Sequence, residues 1–219
     1  MRRTKEDAQR TRDRLLDAAE VVFARQGVSR SSMQNVAHEA GLTRGALYWH
    51  FTDKADLFNA MMDRAVFPME NAIMALTAKP DKDPIGQIRQ VLLGALKLIQ
   101  NDERTRRVLN VATRKAEFVE ELDAARARHL AVHLRCRAQI EAAVKQAQKL
   151  GLIKPRPKAL AVAVGLTALV NGLIELWMLE PSLFPLLKSG EQSLDTYLNG
   201  LRVEATEPSK ASSRPASSR

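Results

Sequence analysis

Apolar residues recur at helical spacing along this chain, and the pattern reads as an all-α fold. A Thr4-x-x-Asp7 box opens a first helix, whose stripe of Leu15, Leu16, Ala19, Val22 and Phe23 runs to Gln26 before Gly27 ends it. Residues 32 to 50, SMQNVAHEAGLTRGALYWH, predict two short helices joined by a tight turn. Ser31 or Ser32 caps the first of these, with Gln34 as the reciprocal acceptor of an S-x-x-Q box, and the helix runs to about Glu39. Gly41 supplies a position that tolerates positive φ, and Thr43 caps the second helix, which begins Arg44, Gly45, Ala46. Val36 and Leu47 can meet between the pair, while Ala37 lets the helices cross closely. The pattern fits a helix-turn-helix; on its own it equally fits an αα corner with an aromatic packing cluster.

Beyond it, Lys54 to Phe67 carries Leu57, Phe58, Met61, Met62 and Ala65 on one side. Pro68 cannot continue regular hydrogen bonding, so a kink or break is expected before Met69 to Leu76 resumes. After the polar loop TAKPDKDP at 77 to 84, Pro84 starts a helix to about Gln100 with Ile88, Val91, Leu92, Ala95, Leu96 and Ile99 on its buried face. Asn101 and Asp102 mark a turn. Further helices are expected at about 103 to 115, 119 to 149, 159 to 179 and 192 to 202. The helix at 159 to 179 is apolar nearly all round and must be buried on more than one side. The Ser, Pro and Ala-rich tail, 204 to 219, is expected to be disordered. The chain therefore divides into residues 1–53, residues 54–203 and the tail.

Composition narrows the class. With 219 residues and 45% apolar content the chain can bury a real core. No apolar run is expected to span a membrane, because Asn171 and Glu175 interrupt the longest one. The basic N-terminus lacks the apolar stretch of a secretory signal, so no membrane partner and a cytoplasmic location are expected. A single cysteine, Cys136, excludes an internal disulfide and a Cys-rich zinc module. The formal charge of +9 favours polyanionic partners, although the basic residues are spread along the chain. There is no phosphate-binding glycine loop, paired acid motif or nucleophile–base constellation, so no enzyme and no cofactor are expected.

The core of the two short helices leaves Thr43, Arg44, Ala46, Tyr48, His50 and the following Lys54 unused, a polar and aromatic face suited to a major groove. From RTRDRLLDAAEVVFARQG through NVAHEAGLTRGALYWHFTDKADLF the segment resembles the N-terminal domain of the TetR family of bacterial transcriptional regulators. The resemblance rests on the Ala37 to Gly41 turn, the run Tyr48-Trp49-His50-Phe51 and the step to Lys54. It implies that Arg44 reads a base, where a guanidinium suits guanine O6 and N7. It further implies that Gly45 and Ala46 allow close approach and that Tyr48, His50 and Lys54 grip phosphates. Gln34 would reach a base or phosphate, with Ser32 and Thr43 beside it. Trp49 either contacts the DNA backbone or packs. Arg3, in the basic arm, either touches DNA or belongs to a mobile terminus.

The C-terminal part holds oddly placed polar groups: Asn110 in LNVA, and Asn171 and Glu175 in the apolar helix. If buried, such groups need partners or a cavity that awaits a ligand. His129, His133 and Cys136 lie on nearly one helix face; a metal there competes with ordinary helix-face residues, and no metal site is expected. The segments DERTRRVLNVATRKAEF and ALVNGLIELWMLEP resemble the multidrug-responsive, AcrR-type branch of the family. That resemblance implies a largely apolar cavity lined by Ile88, Leu92, Leu109, Asn110, Thr113, Cys136, Ile140, Val170, Asn171 and Glu175, each aliphatic member being equally explicable as core. AcrR-like proteins often carry His or Cys where this chain has Thr113, Arg114 and Ala116. The implied protein is a homodimer joined through the helices at about 159–179 and 192–202. It would bind double-stranded palindromic operator DNA as a repressor of an efflux operon and be released by a small lipophilic effector. A regulator of another operon and a non-specific architectural DNA protein remain the alternatives.

Overall fold

The computed structural model describes residues 5–77, 82–115 and 122–203. Arg3 and the tail at 204–219 lie outside the described residues, as does the stretch from 116 to 121. Among the described residues there are nine α-helices and no strand. They are α1 (Lys5–Gln26), α2 (Met33–Glu39), α3 (Arg44–His50), α4 (Lys54–Met74), α5 (Pro84–Asn101), α6 (Glu103–Asn110), α7 (Asp123–Lys149), α8 (Ala159–Leu179) and α9 (Leu186–Leu201).

Two apolar cores stack along α4. The first gathers Leu15, Leu16, Val22 and Phe23 of α1 with Val36, Leu47, Phe51, Leu57, Phe58 and Met61, and extends to Val108, Val111, Leu122 and Ala125. The second gathers Ile73 with Ile88, Leu92 and Ile99 of α5, Ile140 and Val144 of α7, Val162, Leu166 and Trp177 of α8, and Leu194 and Leu198 of α9. Met69 and Leu109 pack against both. The first core is thus not confined to residues 1–53: α6 and the start of α7 close it from the C-terminal side.

Local chemistry explains the helix ends. Gly27 and Gly41 take φ of +83° and +62°, values that any side chain would disfavour. Ser32 caps α2, but its reciprocal partner is Asn35: the Ser32 hydroxyl accepts from the Asn35 N–H at 3.1 Å and Asn35 Oδ1 accepts from the Ser32 N–H at 3.0 Å. The S-x-x-Q expectation is corrected, since the box requires the third helical residue and Gln34 is the second. Ser31 is buried, its hydroxyl bonded to the Gly27 carbonyl at 2.5 Å. Thr43 caps α3 as expected, accepting from the Ala46 N–H at 3.1 Å.

Pro68 does not break α4, which continues to Met74. Pro68 is exposed, so the Arg64 carbonyl that loses a partner can meet solvent, while Val66 and Ile73 hold the helix on its buried side. The last helix begins at Leu186 rather than 192, anchored by the fully buried Leu186 and by Gly190 against Leu96. The 103–115 helix is split: α6 ends at Asn110 and a π-helical turn covers Val111–Lys115. Finally, α8 is long and apolar enough to cross a membrane by length and composition, with a mean hydropathy of 1.9, contrary to expectation. One glutamate does not lower the average enough. Its stripe of Val162, Ala163, Leu166, Val170 and Trp177 is instead buried in the second core.

Candidate DNA interface and effector cavity

The turn after α2 and the Thr43 cap fix α3 at the surface, with only Leu47 of its seven residues buried. Two arginines of α1 hold the unit from behind. Arg14 Nη2 donates to the Ala40 carbonyl at 2.7 Å, at the negative end of α2, and Arg25 pairs with Glu39 at 3.1 Å. Ser32, Gln34, Thr43, Arg44, Gly45, Tyr48 and Trp49 are exposed, with Ala46 and His50 half-buried. The Arg44 guanidinium lies over the Tyr48 ring at 5.2 Å, which keeps it on the face rather than collapsed elsewhere. Trp49 is 69% exposed and stands at right angles to the His50 ring, with centroids 4.5 Å apart, so burial in a core does not account for it.

Lys54 is the exception. It is 5% exposed, and its ammonium donates to the carbonyls of Ser31 at 2.9 Å and Ser29 at 3.2 Å. A charge committed in this way ties α4 to the α1–α2 loop and is not presented to a phosphate. The phosphate role expected for it is therefore corrected.

Some distance along α4 lies a cavity of about 360 Å³, within the range of small-molecule sites. Of the residues expected there, Leu92, Leu109, Thr113, Cys136, Ile140, Val170, Asn171 and Glu175 line it. Ile88 and Asn110 do not: Ile88 is fully buried in the second core, and Asn110 falls outside the wall at the end of α6. Asn171 and Glu175 are exposed at the mouth rather than buried, so the desolvation argument for them does not hold. The Thr113 hydroxyl donates to the Leu109 carbonyl at 2.9 Å, a local use that leaves its methyl for the wall.

One wall of the cavity is not among the residues expected from the sequence. Phe58, Met62, Val66, Met69 and Ile73 of α4 face the cavity together with Asn59 and Glu70. The signal was present in the spacing of these five apolar residues, a second stripe beside the one that packs on α1. Polar groups enter from α7 as well: Arg128, which pairs with Asp63, and His129 and His133, whose Nε2 atoms are 3.1 Å apart. Burial, with Asp63 nearby, pushes the Glu70 carboxyl above its ordinary value despite Arg128 and Arg135. Burial likewise raises the Cys136 thiol and lowers both imidazoles.

The cavity wall continues to the α1–α2 loop. Ala112, Thr113 and Arg114 of the π turn line the cavity, and the next carbonyl, Lys115, accepts from the Val28 N–H in the α1–α2 loop at 3.0 Å. Such turns insert a residue into the helical ladder and recur at functional sites. Beside it, the buried Glu20 of α1 meets Arg64 of α4 and Arg104 (3.3 Å) and Arg107 (3.6 Å) of α6, while Asp17 meets Arg64 at 2.8 Å and Arg104 at 2.7 Å.

Known proteins are similar to this chain along nearly its whole length. Residues 15–61 match the model of bacterial regulatory proteins of the tetR family, and residues 83–203 match the C-terminal region of MAATS-type transcriptional repressors. The chain is 36% identical over 203 residues to the HTH-type transcriptional regulator TtgR of Pseudomonas putida, covering 93% of this chain and 97% of the relative. It superposes on native NalD, the secondary repressor of the MexAB-OprM multidrug efflux pump in Pseudomonas aeruginosa, with a TM-score of 0.83. That match has 32% identity and covers 91% of this chain and all of the other. The SmeT–triclosan complex gives a TM-score of 0.80 at 26% identity, covering 96% of this chain and all of the other. A helix-turn-helix reading face, a cavity beyond it and matches over both parts of the chain make this protein a member of the TetR family of bacterial transcriptional regulators.

Proposed function

We propose that this protein is a homodimeric repressor of a multidrug efflux operon, released from a palindromic operator when a lipophilic compound enters the α4–α8 cavity. The observation that carries the reading is the π turn, which lines the cavity with Thr113 and Arg114 and holds the reading unit through the Lys115–Val28 hydrogen bond. A ligand that favours one arrangement of this turn by about 1 to 3 kcal/mol changes operator affinity roughly 5- to 150-fold. The efflux role is supported by relatives such as NalD, and the lipophilic effector by the apolar wall and by triclosan bound to SmeT.

Arg44 reads a base; Tyr48, Trp49 and His50 meet the DNA backbone, with Ser32, Gln34 and Thr43 flanking them. The functional division is a reading head, α1 to α3, and an effector and dimerisation part from α4 onward, coupled through α6. Dimerisation uses α8 and α9. Leu160, Val164, Leu176 and Leu179 form an exposed apolar stripe on α8, and a second copy related by a two-fold axis covers it. Two heads about one helical turn apart then match the operator's symmetry. A cytoplasmic location follows from this reading, since a repressor must reach bacterial DNA.

Footprinting of the DNA flanking its own gene, with and without triclosan and other hydrophobic drugs, tests this reading. A protected palindrome that reopens with a drug supports it; equal protection of unrelated duplexes supports an architectural protein instead.

A further inference from the structure

The two histidines of α7 do more than line the cavity wall. His129 and His133 stand one turn apart, and their Nε2 atoms converge to 3.1 Å with the rings at 74° to one another. That separation has a specific chemical meaning. Two imidazole nitrogens bound to one ion at about 2.0–2.1 Å, the usual length for zinc, and 3.1 Å apart subtend about 95–100° at the metal. This lies between the square-planar and tetrahedral angles.

We propose that His129 and His133 form a two-histidine site for a divalent transition-metal ion of the copper(II), nickel(II) or zinc(II) class at the edge of the effector cavity. Imidazole is a preferred ligand for these three ions, and a pair at i and i+4 on one helix needs no backbone rearrangement to present both nitrogens. In the metal-free protein the two Nε2 atoms share one hydrogen bond, and binding an ion displaces its proton as both rings turn a lone pair to the metal. Among the described residues no third His, Cys, Asp or Glu stands close enough to complete a three-ligand group. Cys136, three residues on, does not join them in such a group. The protein therefore supplies two ligands, and the remaining positions open to water or to oxygen donors in the cavity.

Copper(II) sulfate titrated into the full-length, untagged protein, followed by electron paramagnetic resonance and calorimetry, tests the site without DNA. The expected result is one saturable equivalent with two-nitrogen hyperfine structure. Affinity should fall at least tenfold in either His129→Ala or His133→Ala and disappear in the double variant. The unchanged melting temperature of the variants in chelator would show that the fold is intact, and Leu130→Ala provides a control on the same helix that keeps the metal. Tight binding retained by the double variant would assign the ion to other groups and would overturn the proposal, as would the absence of saturable binding in the wild type.

Discussion

Lys54 and Arg44 separate two kinds of basic residue that a sequence motif treats alike. Arg44 is exposed over Tyr48, whereas Lys54 is buried beneath the α1–α2 loop. Arg44→Ala should leave the melting temperature unchanged and relax base preference at one position per half-site, a difference read by operator variants. Lys54→Met removes a donor from two carbonyls at about 1–3 kcal/mol each and should lower the melting temperature by several degrees. Its loss of operator binding should then follow the loss of fold. Glu70 makes a pH prediction. Its carboxyl is held above the ordinary value in the folded protein, so its ionised form opposes folding, and that cost is absent at low pH where the group is neutral in both states. Glu70→Gln should therefore melt higher than the wild type at pH 7, with the difference vanishing below about pH 4.5, the ordinary glutamate range.

At the scale of elements, the helices were legible because apolar spacing and caps are local properties, and Gly41 and Thr43 took the roles that their chemistry dictates. What escaped the sequence depended on neighbours. The fate of Lys54 was decided by Ser29 and Ser31, the continuity of α4 through Pro68 by solvent on one side and packing on the other, and the α4 wall of the cavity by which helix lay opposite. The Glu20 cluster is another case, since its arginines arrive from two other helices. Glu20→Gln leaves three guanidinium groups without their buried partner and should cost about 3 kcal/mol, the low end for a broken buried pair because Arg104 and Arg107 can turn to solvent. Urea unfolding measures that loss. The variant should also bind effector normally while its operator affinity responds less to it, because, of these ion pairs, only those of Asp17 are then left to join α6 to α1 and α4.

The whole molecule works as a switch only if its parts exchange free energy. Dimerisation is one requirement: Val164→Asp places a charge in the exposed α8 stripe and should yield monomers by sedimentation, with operator affinity lowered at least tenfold while the helical circular dichroism persists. Coupling is the other, and it is reciprocal by thermodynamic necessity. Calorimetric titration of triclosan, or another bound drug, into the protein alone and into its saturated operator complex measures it most directly. Operator should weaken drug binding by the same roughly 5- to 150-fold factor by which the drug weakens operator binding. Equal drug affinity with and without operator would contradict it.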